Sequence, residues 1–183
     1  MNAVPKLALS HVGFHVTDIA KMRDFYTRVL GFTVTDEGTI NNGAMEMVFM
    51  SRDPRDHHQV VIATGRGKDT PTIVNQLSFR AESIADLRNI WQAAKAEGAR
   101  NIDPVDHGVA WSVYFLDPED NRVEVFVDTP WYVKQPRRQS LDLAQPDDGV
   151  RQTTLERIQG EPTFGPIEAW RAEIAKKIEA RAG

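Results

Sequence analysis

Three side chains in this sequence have the types and the placement to hold a metal ion: His11, Gln76 and Glu124. The first two come from a near-repeat. The run Leu9-Ser10-His11-Val12-Gly13-Phe14 lies over Val74-Asn75-Gln76-Leu77-Ser78-Phe79 without a gap. Ile19/Ile84, Ala20/Ala85 and Arg23/Arg88 are identical further along the same match, and Asp53-Pro54 corresponds to Asp117-Pro118. Two copies of one unit imply a pseudo-twofold domain with a site between its halves, so His11 and Gln76 become facing partners. Glu124 shares a strand face with Arg122 and Phe126, opposite Val123, Val125 and Val127, and can point to the same place if the halves form a cup. Two neutral donors and one carboxylate suit a divalent cation with open coordination positions. The alternative is a metal-free cup in which Gln76 only hydrogen-bonds.

The elements that would position these residues can be read from patterning. Leu7 to Val16 reads as a strand, with Val12, Phe14 and Val16 on one face and His11, Gly13 and His15 on the other. Asp18 is an N-cap for a helix through Leu30 whose stripe is Met22, Phe25, Tyr26 and Val29, and Gly31 stops it. Strands follow at Phe32–Glu37, Met45–Ser51 and His58–Thr64, and Gly65 to Pro71 reads as the linker between halves. The second half restarts with a strand at Val74–Phe79 and a helix from Ser83 to about Glu97, with Leu87, Ile90, Trp91 and Ala94 as its stripe. Strands near Arg100–Asp103, Val109–Leu116 and Arg122–Val127 complete the copy. The expected fold class is α+β: paired β-α-β-β-β modules over 7–64 and 74–128 form a cupped mixed sheet. An extension over 129–183 follows, running over the surface beyond Val133 through Gly149. It ends in an amphipathic helix from Pro166 to Ala180 with Ile167, Trp170, Ile174 and Ile178 on one face.

Composition narrows the function classes. A chain of 183 residues is one domain, or one domain with a tail. A net charge of −4 and a pI near 5.7 give no electrostatic case for nucleic acid or an anionic membrane. Cysteine is absent, which removes disulfides, thiolate metal sites and a cysteine nucleophile. No apolar run approaches the ~20 residues that span a bilayer, and the first residues do not read as a signal peptide, so a soluble, cytoplasmic protein is expected.

The run His107-Gly108-Val109-Ala110-Trp111-Ser112-Val113-Tyr114-Phe115-Leu116-Asp117-Pro118-Glu119-Asp120-Asn121-Arg122-Val123-Glu124 resembles the vicinal-oxygen-chelate superfamily, and within it the type I extradiol dioxygenases that cleave catechols. Their signature runs His, a spacer, an apolar residue, Tyr, then an acid, Pro and Glu. This chain fits it except at Asp120, where the family has Gly or Pro in the turn. The superfamily resemblance covers about residues 7 to 128. It implies a His, His, Glu ligand set for iron(II), matched here by His11 and Glu124, with Gln76 in the remaining place. Gln is a harder and weaker donor than imidazole, which favours oxygen-preferring metals. Some glyoxalase I enzymes of the superfamily use Gln as a ligand.

The resemblance also implies roles for three further residues. Asp56-His57-His58-Gln59-Val60-Val61 is similar to the stretch around the family's acid-base histidine, with His58 the better match. His107 and Tyr114 fall where the family binds a substrate hydroxyl and orients oxygen intermediates. The implied function is a ring-cleavage dioxygenase using Fe(II), or Mn(II) or another divalent metal, with a small aromatic substrate and O2 as its partners. A glyoxalase-like isomerase or lyase and a metal-free binding protein are the alternatives. A homodimer is expected, because the stripe on the last helix needs a covering surface, its own subunit or a second copy.

Four weaker candidates complete the reading. His15 is expected in a hydrogen-bonded interior role. Arg80 could hold an anionic substrate or snorkel to solvent. Gly65-Arg66-Gly67-Lys68 reads as linker rather than phosphate loop. Trp131 and Tyr132 could roof the cup or pack the tail.

Overall fold

The computed structural model describes residues 8–72 and 74–182. Leu7, the first residue of the expected opening strand, lies outside the described residues. The first half contains β1 (Val12–Val16), α1 (Ile19–Arg28), β2 (Thr33–Ile40), β3 (Met45–Ser51) and β4 (Val60–Thr64). The second contains β5 (Leu77–Arg80), α2 (Ile84–Ala96), β6 (Arg100–Asp106), β7 (Ala110–Leu116) and β8 (Arg122–Asp128). The first sheet has the order β1-β4-β3-β2, and the second repeats it as β5-β8-β7-β6. In both, the last strand returns parallel to the first, while the other pairs are antiparallel. This is the α+β fold that the repeat implied.

The repeat holds in detail. Val12 and Leu77, each the first residue of its strand, occupy matched positions, as do Ile19 and Ile84 at the helix starts. The caps match too: Asp18 accepts from the Lys21 amide at 3.0 Å, and Ser83 from the Asp86 amide at 3.1 Å. Gly31 and Gly98 close the two helices at φ values of 67° and 68°, a region that favours glycine. The first strand is shorter than patterning suggested because its neighbour is short. β4 begins only at Val60, and the Val12 amide to the Gln59 carbonyl at 3.1 Å is the contact that starts the ladder. His11 and Gln76 therefore each stand one residue ahead of a strand.

The halves are locked by polar groups as well as by apolar ones. Phe25 meets Phe115 and Phe32 meets Phe79 across the junction, at centroid distances of 6.1 and 5.5 Å. Glu119, in the β7–β8 turn, accepts from the Thr17 and Asp18 amides at 2.6 and 2.7 Å, placing a carboxylate at the start of α1. Arg66 pairs with the same carboxylate at 3.4 Å and donates to the Glu119 carbonyl at 3.1 Å. The expected linker is thus tied to the second half rather than merely spanning to it.

Asp117 is buried beside this junction and accepts from the Glu119 and Asn121 amides, from the Asn121 side chain at 2.8 Å and from the Tyr26 hydroxyl at 3.4 Å. Burial pushes its carboxyl above the ordinary 3.8, against the pull of those donors. A raised folded value contributes stability that is present below the ordinary value and fades as pH rises through the folded one, so mild acid relieves this cluster. Asp117→Ala should orphan buried donors on both sides of the junction. A loss of about 1–3 kcal/mol is expected in the urea midpoint at constant slope.

The carboxyl-terminal segment departs most from expectation. It holds β9 (Trp131–Tyr132), β10 (Gln139–Ser140), α3 (Asp147–Ile158), β11 (Gly165–Pro166) and α4 (Ile167–Ala182). The stretch expected to run over the surface instead joins the core through Leu143, and the residues at its two ends, Val133 and Val150, are buried as well. Trp111, buried on the back of β7, donates to the Thr154 hydroxyl at 2.7 Å, which donates to buried Asp106 at 2.9 Å. Arg88 of α2 donates to the Leu143 carbonyl at 2.9 Å and also holds Asp147. Patterning does not predict helix α3, because Pro146-Asp147-Asp148-Gly149 has the composition of a loop. Proline before the first turn and acids within it are also helix-start chemistry. Helix α4 matches expectation closely. Its stripe is covered only in part, since Trp170 is 37% and Ile178 63% exposed. No helix among the described residues is long and apolar enough to cross a membrane.

Candidate functional site

Strand β8 lies between β7 and β5, so Glu124 is flanked by Tyr114 on one side and Ser78 on the other. Its side chain is 8% exposed. One carboxylate oxygen accepts from the Gln76 carboxamide at 2.8 Å and the Ser78 hydroxyl at 2.6 Å, the other from Ser112 at 2.8 Å. Every one of these donors is neutral. Among the described residues no Lys, Arg or His forms an ion pair with Glu124. Ser78 and Ser112 were missed at the level of sequence. Ser78 lies two residues after Gln76 and Ser112 two before Tyr114, and the period of two in extended chain could have placed them on the same faces.

His107 and Tyr114 form a second pair beside the first. The His107 Nδ1 contacts the Arg137 carbonyl at 2.6 Å, and a carbonyl only accepts, so the ring proton sits on Nδ1. The Nε2 is then an acceptor, and the Tyr114 hydroxyl donates to it at 3.0 Å. Burial, then the Glu124 carboxylate, push the Tyr114 hydroxyl up to about 12, so it stays protonated at neutral pH. The turn that aims His107 requires glycine next to it. Gly108 has φ 77°, and a side-chain carbon there would meet Val133 at 2.5 Å. Gln76, Glu124, His107 and Tyr114 together line one cavity of about 470 Å³. A larger cleft of about 900 Å³ between the halves is lined by none of the six expected site residues.

The remaining two expected residues meet each other elsewhere. His11 packs edge-on against His58, with ring centroids 4.3 Å apart, and His57 Nδ1 lies 2.9 Å from His58 Nδ1. Burial, then the neighbouring His11 and His57, push the His58 imidazole below its ordinary value, so it is neutral at pH 7. The sequence repeat made His11 and Gln76 facing partners. In the fold their positions are equivalent, yet no hydrogen bond among the described residues joins them, and His11 does not line the cavity of Gln76 and Glu124. Among the described residues no three His, Cys, Asp or Glu side chains are grouped to hold a metal ion.

The weaker candidates resolve separately. His15 is hydrogen-bonded to the Thr64 carbonyl at 3.0 Å, but it is exposed rather than interior. Arg80 pairs with Asp128 at 3.3 Å and lies over the Phe126 ring. Trp131 packs against Trp111, whereas Tyr132 lines the cavity.

The family model of the Glyoxalase/Bleomycin resistance protein/Dioxygenase superfamily matches residues 8–125. The chain belongs to this superfamily. Within the superfamily, it is 30% identical over 133 residues to biphenyl-2,3-diol 1,2-dioxygenase 2 of Rhodococcus globerulus, covering 70% of this chain and 65% of that protein. Biphenyl-2,3-diol 1,2-dioxygenase 3 of the same organism is 29% identical over 134 residues, covering 70% of this chain and 66% of its own. The chain thus spans just under two thirds of the curated relatives it matches. Among solved structures, a glyoxylase/bleomycin resistance protein/dioxygenase domain from Frankia sp. EAN1pec superposes with a TM-score of 0.59 at 22% identity, covering 68% of this chain and all of that one. A mutant of the fosfomycin resistance protein FosX from Listeria monocytogenes, solved with Mn(II) and 1S,2S-dihydroxypropylphosphonic acid, gives 0.54 at 20% identity over 67% and 93% of the two chains. At these identities the structural likeness establishes the superfamily fold.

The donor chemistry at Glu124 fits a divalent cation. A buried carboxylate with no cationic partner, next to a carboxamide, offers hard oxygen donors of the kind that Mn(II) and related ions accept. Gln76 presents its nitrogen to Glu124 here, so turning the amide over would aim its oxygen at an ion instead.

Proposed function

We propose that this superfamily member is an extradiol-type dioxygenase that cleaves a catechol-like aromatic with O2 at a divalent metal, Fe(II) or a related ion such as Mn(II). The observation that carries the proposal is the buried Glu124 carboxylate, without a cationic partner, in the same cavity as Gln76 and the His107–Tyr114 pair. Glu124 and Gln76 would hold the metal, while His11, the third ligand that the resemblance implies, lies outside their cavity in this structure. Bound there, a metal of this kind would lower the pKa of a substrate hydroxyl and supply the redox chemistry that the reaction with O2 needs.

The chain's own residues do the rest. His58, whose imidazole burial and its histidine neighbours push below the ordinary value, is the acid-base group that the resemblance implies, taking a proton from the substrate hydroxyl and returning it later, although it lies outside the Glu124 cavity in this structure. Tyr114 keeps its proton and is oriented by His107 Nε2, so it would donate to a substrate oxygen when that contact is exchanged. His107 is itself fixed by the Arg137 carbonyl. The proposed division is a site-bearing unit over 7–128 and an extension over 129–183, in a cytoplasmic homodimer. A mass of one chain in solution at micromolar concentration would remove the dimer.

One observation favours a second reading. All three donors around Glu124 already satisfy both its oxygens without any ion, which is what a metal-free binding protein would need. Metal analysis followed by oxygen uptake with a panel of catechols separates the two. Metal with uptake supports the dioxygenase, metal without it a glyoxalase-like isomerase or lyase. Neither, with tight ligand binding, supports the binding protein. Gln76→His refines the test: imidazole is the better donor to iron(II), so the variant should bind that ion more tightly at unchanged site charge. Equal or weaker iron binding in Gln76→His removes Gln76 from the ligand set.

A further inference from the structure

The cavity that holds Glu124 is completed by residues beyond the stretch matched by the superfamily. Tyr132, Ile167, Trp170 and Arg171 all line it, and all follow residue 125. Their placement is built in. Strands β9 and β11 pair Tyr132 with Gly165 and Trp131 with Pro166, and the Ile167 amide bonds to the Pro130 carbonyl at 3.0 Å. That fixes the start of α4, and Ile167, Trp170 and Arg171 fall on one helix face by their spacing of three and four. The Trp170 ring stacks on Tyr132 at 5.3 Å with 13° between planes. Stacked in this way, the pair presents an outer aromatic face that a third flat ring could meet.

The mouth beside this wall is charged in a particular way. Arg80 and Arg171 both line the cavity and both pair with one oxygen of Asp128, Arg80 through Nε at 3.3 Å and Arg171 through Nη2 at 3.2 Å. Glu168, off the cavity lining, takes Nη1 of Arg171 at 2.6 Å. The terminal nitrogens of Arg80 are engaged by no carboxylate among the described residues, and Arg80 is 67% exposed. A planar guanidinium in that state offers a two-pronged fit to a carboxylate.

We infer that the carboxyl-terminal segment sets substrate class: the cavity takes a planar aromatic ring bearing an anionic substituent, with the ring on the outer face of the Tyr132–Trp170 stack and the anion on the free terminal nitrogens of Arg80, beside the positive charge of Arg171. This rests on the reading of the cavity as the substrate site. The test is calorimetric binding to the full-length protein as isolated, using 2,3-dihydroxybenzoate, its methyl ester and catechol. The carboxylate should bind about 10–100-fold more tightly than the ester, the range of a charge-assisted contact. Arg80→Gln and Arg171→Gln should each shrink that ratio while leaving ester binding in place. Trp170→Ala should weaken all three probes alike, by about 2–10-fold, and Trp170→Phe should restore most of the loss. Equal binding of acid and ester, an acid preference that survives both arginine variants, or no measurable binding of any probe overturns the inference. Oxygen uptake with catechol but no acid preference would remove this inference and leave the dioxygenase. Acid preference without uptake on any probe would do the reverse.

Discussion

Glu124→Ala should strip the protein of divalent metal and of any ring-cleavage activity together. The substitution removes the only anionic donor at the proposed site. The loss in metal affinity should exceed the roughly 10–100-fold that follows when a mere supporting partner of a ligand is removed. It should also cost stability. Gln76, Ser78 and Ser112 all donate to this carboxylate, and Ser112 is fully buried. Leaving such donors unpaired costs about 1–3 kcal/mol, to be read from the urea midpoint. Glu124→Gln separates the two effects, because it keeps an acceptor for the serines while discarding the charge. Metal content by elemental analysis, with oxygen uptake on catechols, is the measurement. Unchanged metal and activity in Glu124→Ala would make the metal assignment wrong and the binding-protein reading the leading one.

The second large effect is expected at His58. His58→Phe should leave metal content unchanged and lower kcat by roughly 10²–10⁴-fold, the usual loss for an acid-base group. Phenylalanine keeps a ring in the edge-on contacts with His11 and Phe49, at 4.3 and 5.2 Å in the native chain, so local packing should survive. Loss of metal along with activity would mean that His58 supports His11 rather than moving protons. An unchanged kcat would leave proton handling to His107 and Tyr114, which already share the cavity with Glu124.

How much of this was legible in advance differs by residue. The repeat fixed β1 against β5 and α1 against α2 because both helices announce themselves locally, through Asp18 and Ser83 at their starts and Gly31 and Gly98 at their ends. The face of β8 was equally plain, since alternation put Glu124 and Phe126 opposite three valines. Helix α3 was hidden because its starting residues serve turns and helix starts alike, and only burial of Val150, Thr154 and Ile158 against the back of β7 chooses between them. Patterning is a statement about neighbours along the chain. It holds no information on which distant surface will cover a segment.

The same division runs through the site. By itself the sequence determined the fold, the candidates His11, Gln76 and Glu124 and the equivalence of the first two, because these follow from local periodicity and one internal match, whereas His58, His107 and Tyr114 came from the resemblance to the superfamily's motifs. Only the tertiary structure decided how they group: Gln76, Glu124, His107 and Tyr114 around one cavity, His11 with His58 apart from it. It also decided that Ser78 and Ser112 hold the carboxylate, and that Tyr132 and Trp170, from outside the repeat, wall the cavity. The physical reason is that equivalent positions in two copies fix where each side chain sits in its own module, whereas convergence depends on how the modules dock. That docking is set by contacts such as Glu119 on the start of α1 and Phe25 on Phe115, between residues about a hundred positions apart in the chain.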